Sequence, residues 1–326
     1  MDVVTGSNGS IGNVLVRELL KRGRTVRVFF RPTSDIKSLE GLEVEKVVGN
    51  IHDTDSLIKS FKGADIVYHL AAMISIMPGD RSLIHNINFG GTRNVINACL
   101  NCGAKRLVYT STIHALKEPP FGNVIDENMP FNPKNNRGEY DRSKALASLE
   151  VVKAAKNGLD SVVVCPTGVL GPYDFKISAI SQTFIDFINK KLKFMVNGAY
   201  DFVDVRDVAV GHILAAEKGK TGENYILSGE RVTMDEIMSM LEEITGVEAS
   251  RSRVPVWMAK IAGVFTPIYY KLTNTTPRFT EYSISTLQSN SCISHEKASK
   301  ELGYNPRTVR QSIKDTIKWF KENKII

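Results

Sequence analysis

Proton-transfer chemistry is concentrated in Tyr140-Asp141-Arg142-Ser143-Lys144 and in Thr110-Ser111-Thr112, which ends an apolar run before it. On a helix, Tyr140 and Lys144 are four residues apart and project from one face. An unperturbed tyrosine, with a pKa of about 10, exchanges protons slowly near neutrality; a fixed ammonium beside it favours the phenolate. Lys144 is therefore expected to lower the Tyr140 pKa. A Tyr-x-x-x-Lys spacing also arises by chance on amphipathic helices, so its setting matters. That setting is Thr5-Gly6-Ser7-Asn8-Gly9-Ser10-Ile11-Gly12, placed between Val3-Val4 and Val14-Leu15-Val16. It reads as strand, phosphate-binding turn and helix: glycines let the backbone turn sharply, approach a pyrophosphate and pack helix against strand. The spacing departs from G-x-G-x-x-G, and an ordinary glycine-rich turn is the alternative for this motif alone.

These residues need a scaffold, and the first half of the chain supplies one. Short β-branched runs alternate with amphipathic segments, the pattern of βαβ units around a parallel sheet. Strands are expected at Val3-Val4, Val26 to Phe30, Val44 to Val48, Ile66 to His69, Arg106 to Thr110 and Ser161 to Cys165. Helices are expected from Ile11 to Lys21, Asp55 to Phe61, Arg81 to Leu100 and Glu139 to Lys156. The fold class is α/β, a Rossmann-type doubly wound parallel sheet with a smaller, mostly helical C-terminal substrate domain. In such folds ligands bind beyond the carboxyl ends of the strands, where both motifs would meet. The loop from Leu116 to Gly138, rich in Pro, Asn and Gly, is long enough to shape that cleft. After Pro166 the pattern turns mostly helical: Ile177 to Lys190, Thr233 to Thr245, His295 to Leu302 and Val309 to Asn323. The expected division is residues 1–168 for dinucleotide binding, with 200–218 returning to it, and a discontinuous smaller domain over 169–326.

Composition narrows the function classes. With 326 residues, 42% hydrophobic and 24% charged, the chain reads as an ordinary globular protein. The net charge of +7 is spread along the chain, which argues against nucleic acid and suits an anionic small ligand. No apolar run approaches a membrane span: Val254 to Leu272 is broken by Lys260, Pro267 and Lys271 and reads as a packed or pocket-covering helix. A strand at the very start leaves no room for a signal peptide, so the expected location is cytoplasmic. Cys99, Cys102, Cys165 and Cys292 do not form a secreted disulfide framework. Cys99 and Cys102 could be a redox pair or half a zinc site, but no second pair accompanies them; incidental placement near a helix end is preferred, and no metal is expected.

Together the motifs resemble the extended short-chain dehydrogenase/reductases, the NAD(P)-dependent epimerase/dehydratase family. Further segments carry the likeness: His69-Leu70-Ala71-Ala72, Asn88-Phe89-Gly90-Gly91-Thr92, Pro166 through Pro172, and Phe202-Val203-Asp204-Val205-Arg206-Asp207-Val208-Ala209. The resemblance implies that Thr112 bonds the substrate oxygen, Tyr140 exchanges its proton, and Lys144 holds the nicotinamide ribose. It further implies cofactor contacts from Thr5, Gly6, Asn8, Gly9, Ser10, Ile11, Gly12, Asn50, Ile51, Leu70, Ala71, Ala72, Ser111, Pro166, Thr167, Gly168 and Val169. Asn88 would support a proton path through a water to Lys144, or only tie helix to sheet. His69 reads as a packed strand-end residue. Relatives often dimerise through the helices holding Arg81 to Leu100 and Glu139 to Lys156, so a homodimer is expected by resemblance.

Charge argues for NADP(H) over NAD(H), which stays possible. The second strand ends Phe29-Phe30-Arg31 with no acid to accept ribose hydroxyls, and Arg31 resembles the arginine that holds the adenosine phosphate. Asn50 stands where relatives commonly place an aspartate. Within the family the chain is most similar to the dihydroflavonol reductase and hydroxysteroid dehydrogenase-like group. Tyr200-Asp201 stands where nucleotide-sugar enzymes usually present an arginine for the diphosphate, and Ile113-His114 stands where dehydratases place Asp-Glu. The expectation is an NADP-dependent oxidoreductase interconverting a ketone or aldehyde and an alcohol on a small, apolar substrate. Met73, Ile74, Ile76, Met77, Tyr173 and Trp257 are candidate pocket residues, with His114 a candidate to assist protonation. A nucleotide-sugar epimerase is the alternative, and a nicotinamide-binding regulator without turnover a second.

Overall fold

The computed structural model describes residues 1–74, 81–192, 194–248, 252–258 and 285–326. Ile76, Met77 and most of Val254 to Leu272 lie outside the described residues. Seven parallel strands form the main sheet: β1 (Asp2–Thr5), β2 (Val26–Phe30), β3 (Glu45–Val48), β4 (Ile66–His69), β5 (Arg106–Thr110), β6 (Ser161–Pro166) and β10 (Asn224–Leu227). Their order is β10-β6-β5-β4-β1-β2-β3. The order reverses between β1 and β4, which pair Thr5 with His69, and this is where a doubly wound sheet opens its binding crevice. Alternation along the strands feeds two cores. Val3, Val67, Leu107, Tyr109 and Val163 pack on one face, and Val4, Tyr68, Val108, Val162 and Val164 on the other.

The first face is covered by α2 (Thr54–Phe61), α4 (Gly91–Cys102) and α5 (Glu139–Lys156). The second is covered by α1 (Ser10–Lys21) and α7 (Val205–Lys218), which pack against each other. The expected helix from Arg81 to Leu100 is not one α-helix. It is α3 (Arg81–His85), a π-turn at Asn86–Gly90, then α4. The break is caused by Asn88, whose side chain bonds outside the helix, while the Thr92 hydroxyl donates to the Asn88 carbonyl at 2.6 Å.

The C-terminal part contains α6 (Ala179–Ile188), α8 (Met234–Thr245), α9 (Glu296–Leu302) and α10 (Val309–Glu322). It also contains short strands, of which Ala199–Asp204 overlaps the Phe202 to Val205 segment that reads as a strand from sequence, before a helix over Arg206 to Glu217; the others go beyond the expected ones. β7 (Gly168–Leu170), β9 (Ala199–Asp204) and β11 (Glu230–Thr233) form a three-stranded sheet, and β8 (Met195–Val196) pairs with β12 (Arg253–Val254). A third apolar cluster, with Phe184, Phe202, Ile237, Ile313 and Phe320, fills this region. Helix α8 starts on a capping box: Thr233 accepts from the Glu236 N–H, and the Glu236 carboxylate accepts from the Thr233 N–H. Among the described residues, no helix is long and apolar enough to cross a membrane.

Candidate active site

Strand β5 ends at Thr110, and the chain leaves it extended through Thr112, whose side chain caps a short 3-10 turn at Ile113–Ala115 by accepting from the His114 N–H at 3.4 Å. Opposite stands the N-terminal turn of α5. The buried face of that helix carries Asp141, Ser143, Lys144 and Ser148, polar groups that a merely structural helix would not bury. Three of these groups have the following partners. Ser148 meets the Ser111 hydroxyl at 2.7 Å, Ser143 donates to the Tyr140 carbonyl at 2.8 Å, and the Lys144 ammonium donates to the Thr110 carbonyl. Lys144 also stands 4.2 Å from the centre of the Tyr109 ring.

The electrostatics correct one expectation. Burial lowers the Lys144 pKa to about 7, because an ammonium is costly to hold in a low-dielectric interior. Tyr140 is shifted above the ordinary tyrosine value, first by burial and then by the neighbouring Asp141 carboxylate. Desolvation and a carboxylate both act in the raising direction, and the Lys144 ammonium is directed at the Thr110 carbonyl.

The glycine turn has the shape of a cradle. Gly6 has φ +69°, and a Cβ on it would sit 2.6 Å from the Ala71 nitrogen; on Gly12 a Cβ would sit 2.2 Å from the Gly6 oxygen. The N–H groups of Ser10, Ile11 and Gly12 at the start of α1 have no protein acceptor among the described residues, and Gly9 precedes them without a side-chain cap. That donor set fits a dinucleotide pyrophosphate. Several side chains here are already engaged with the protein. Thr5 bonds His69 at 2.7 Å, Asn8 donates to the Asp35 carbonyl at 2.9 Å, and the Ser10 hydroxyl donates to Asp174 at 3.2 Å. What Ser10 offers an anion is therefore its backbone.

Around the rest of the crevice, Leu70, Ala71 and Ala72 follow β4 directly, with the Ala71 N–H donating to Thr5 at 3.3 Å. Arg31 is exposed at the end of β2 and makes no ion pair with described residues. Asn50 accepts from the His52 N–H at 3.0 Å, and buried Ile51 lies against Gly91, where a Cβ would meet it at 2.6 Å. Asn88 is saturated by protein: it accepts from the Met73 N–H at 2.8 Å and donates to the Met73 carbonyl at 3.1 Å and to Ser143 at 3.0 Å. Its links run from the loop after β4 to the turn bearing Tyr140. His69 is fully buried between Thr5 and Thr92, and burial holds its pKa down to about 3. After Pro166, Thr167 donates to Asp201 at 2.6 Å, Gly168 lies against the Tyr200 ring, and Val169 runs beside Val203 in the second sheet.

The substrate candidates separate. His114 adjoins Thr112, and Met73 is held by Asn88. Ile74 is 70% exposed and Trp257 64% exposed. Tyr173 lies instead against α1: its carbonyl accepts from Asn13 at 3.2 Å and its ring lies 4.8 Å from the Arg17 guanidinium. The structure adds a residue that sequence reading noted only as a missing arginine. Tyr200, in β9, bonds His114 at 2.6 Å, a contact 86 positions apart in the chain. Cys99 and Cys102 are free thiols at the end of α4, both shifted up by burial.

Residues 3–228 match the family model described as the NAD dependent epimerase/dehydratase family. The chain belongs to that family. It is an enzyme of the extended short-chain dehydrogenase/reductase group, with NAD(P)-dependent oxidoreductase or epimerase/dehydratase activity. The enzyme is 36% identical to the sterol demethylase protein B of Methylococcus capsulatus, covering 99% of both chains. It is 32% identical to a putative dihydroflavonol 4-reductase of Synechocystis, over 98% of this chain and 94% of that one. Among solved structures it superposes on gox2253 with a TM-score of 0.86 at 32% identity, covering 99% and 98% of the two chains. On UDP-glucose 4-epimerase of Thermotoga maritima the TM-score is 0.79 at 20% identity, covering 99% and 100%, a likeness of fold.

Proposed function

We propose that the enzyme is an NADP-dependent oxidoreductase that interconverts a secondary alcohol and a ketone on an apolar, alicyclic substrate of sterol-like character. The observation that supports this reading is the bond from the Lys144 ammonium to the Thr110 carbonyl, which ties the helix bearing Tyr140 to the strand end that runs into Thr112. The substrate class is supported by the relatives' names, which include a sterol demethylase protein and, at 29% identity, a sterol-4-alpha-carboxylate 3-dehydrogenase of Mus musculus. Tyr200 in place of a diphosphate-binding arginine weighs against nucleotide sugars. The absence of an acid after β2, with Arg31 there instead, supports NADP(H).

In this reading residues 1–168 and 200–218 hold the dinucleotide, and 169–326 closes over the substrate. The N–H groups of Ser10, Ile11 and Gly12 hold the pyrophosphate, Arg31 the adenosine phosphate, and Tyr140 and Lys144 the nicotinamide ribose. The bound nicotinamide supplies the hydride chemistry. Thr112 donates its hydroxyl hydrogen to the substrate oxygen and orients it toward Tyr140. Tyr140 gives its phenolic proton to that oxygen in reduction and takes it back in oxidation. Asn88 and Ser143 brace the Tyr140 turn. A homodimer formed through α4 and α5 in the cytoplasm completes the proposal.

The test is oxidation of NADPH, and of NADH in parallel, over a panel of ketosteroids, alicyclic ketones, aldehydes and nucleotide 4-keto sugars. Turnover of a ketone with NADPH preferred, falling about 10²- to 10⁴-fold in Tyr140→Phe, is the expected outcome. A substrate epimerised without net cofactor oxidation would replace this reading with the epimerase one.

A further inference from the structure

A line of buried polar side chains joins the glycine cradle to the turn that bears Tyr140. Thr5, the last residue of β1 and the neighbour of Gly6, meets His69 Nδ1 at 2.7 Å; His69 Nε2 meets the Thr92 hydroxyl at 3.1 Å; and Thr92 reaches the Asn88 carbonyl at 2.6 Å. The line passes through Asn88 from backbone to side chain, and its amide meets the Ser143 hydroxyl at 3.0 Å. Ser143 then reaches the Tyr140 carbonyl at 2.8 Å. Thr5, His69, Thr92, Asn88 and Ser143 are all buried. The remaining contacts are the Ala71 N–H on Thr5, the Met73 backbone on the Asn88 amide, and the Tyr109 ring 5.7 Å from the His69 ring, with its phenol toward Thr92.

The direction of each bond in this line is set by its chemistry. A carbonyl only accepts, so the Thr92 hydrogen lies on the Asn88 carbonyl. Thr92 therefore accepts from the His69 Nε2–H. A second proton on this enclosed ring is opposed by desolvation and by the Lys144 charge, so Nδ1 is bare and takes the Thr5 hydrogen. At the far end the Tyr140 carbonyl takes the Ser143 hydrogen, which leaves the Ser143 oxygen to accept from the Asn88 amide. Every donor points the same way, from the cradle toward Tyr140. A buried network whose donors and acceptors are all spent holds its members in one arrangement.

We propose that His69 and Thr92 are positioning residues for proton transfer: they fix the π-turn at Asn88, and through Ser143 the first turn of α5, relative to the strand end that carries the glycine cradle. Neither touches the reacting atoms. Their contribution is to place Tyr140 before any ligand arrives, so cutting the line in its middle misplaces the phenol and leaves the cradle intact. Such a loss falls on kcat, because a small misplacement weakens the transition state more than it weakens binding. The inference rests on the reading of Tyr140 as the residue that exchanges the substrate's proton.

The test compares Thr92→Val, which removes the hydroxyl and keeps the shape, with Thr92→Ser, which keeps the hydroxyl. Hydrogen exchange is read at the amides of Arg142, Ser143 and Lys144 in the ligand-free protein; kcat, KM and NADPH affinity are read on the best ketone of the panel above. Thr92→Val is expected to speed that exchange at least about fivefold and to lower kcat about tenfold, with KM and NADPH affinity within about twofold of wild type. Thr92→Ser brings exchange and kcat most of the way back. His69→Asn keeps an acceptor for Thr5 and loses the donor to Thr92, so it shows the Thr92→Val pattern and decides the matter if that variant fails to fold. Unchanged exchange at these three amides, a loss as large in Thr92→Ser as in Thr92→Val, or NADPH affinity falling as far as kcat overturns the inference. A wild type inert on every ketone while NADPH binds, with the exchange difference present, overturns the oxidoreductase reading alone.

Discussion

Lys144 is a side chain of the site whose protonation is costly to the fold. Its ammonium sits 3% exposed, against the Thr110 carbonyl and the Tyr109 ring, with a pKa near 7. In an unfolded chain the same amine titrates near 10.5. The unfolded state therefore binds more protons between these values, and stability rises with pH across that window; below pH 7 the full cost of burying the charge is present. Lys144→Met is expected to raise the thermal midpoint by a few degrees at pH 6 while lowering kcat/KM by at least about 10²-fold. Melting curves at pH 6 and pH 9 check the sign, since the gain shrinks as pH rises. At this scale the sequence was legible in residue identity and mute on energy. Tyr140 and Lys144 could be named from their spacing, but the direction of the Tyr140 shift could not. Desolvation is set by β5, β6 and the loop before α5, none of which is visible in a five-residue motif.

Helix α3, its π-turn and α4 show how an element is shaped by one side chain. An uninterrupted apolar pattern reads as one helix from Arg81 to Leu100; the break follows from Asn88 reaching Met73 and Ser143. Asn88→Ala is expected to cost about 2–4 kcal/mol, since it strands the Met73 N–H and carbonyl in a part-buried place. It also loosens the turn under Tyr140, so kcat falls more than cofactor affinity does. Chemical unfolding together with cofactor titration separates the two effects. The strands that went unread share a physical reason. β7, with three residues, is too short to show a period, and β10, Asn224-Tyr225-Ile226-Leu227, carries a single β-branched residue; what places them is pairing with β9 and β6, which are distant in the chain.

For the whole molecule, three histidines set the acid limit. His69, His114 and His212 are buried neutral with pKa values of about 3, 3 and 4. Unfolded, each titrates near 6.5, so below that pH the unfolded chain takes up protons that the folded one refuses. Stability is lost as pH falls from 6.5 toward 4, with a limiting slope of about 4 kcal/mol per pH unit for the three together. Thermal midpoints measured from pH 7 to pH 4.5 are expected to fall steeply, and His69→Asn to make the descend shallower. The architecture around these residues was largely open to reading, because Val3-Val4, Val26 to Phe30 and Ile66 to His69 carry the β-branched runs of buried parallel strands. The pairing of Tyr200 with His114 was not, since nothing local links residues 86 apart.

The π-turn at Asn86–Gly90 has a consequence for how this chain tolerates change in length. A wider turn amounts to one inserted residue, which rotates everything after it by about 100° relative to a continuous helix. Val95, Ile96, Ala98 and Cys99 face the core only because that rotation has been absorbed. Deleting a single residue from this turn would swing those four side chains toward solvent and bring Arg93 or Asn97 inward. The same deletion in the exposed Pro120–Asn123 turn would shorten a loop and leave the packing of α4 in place.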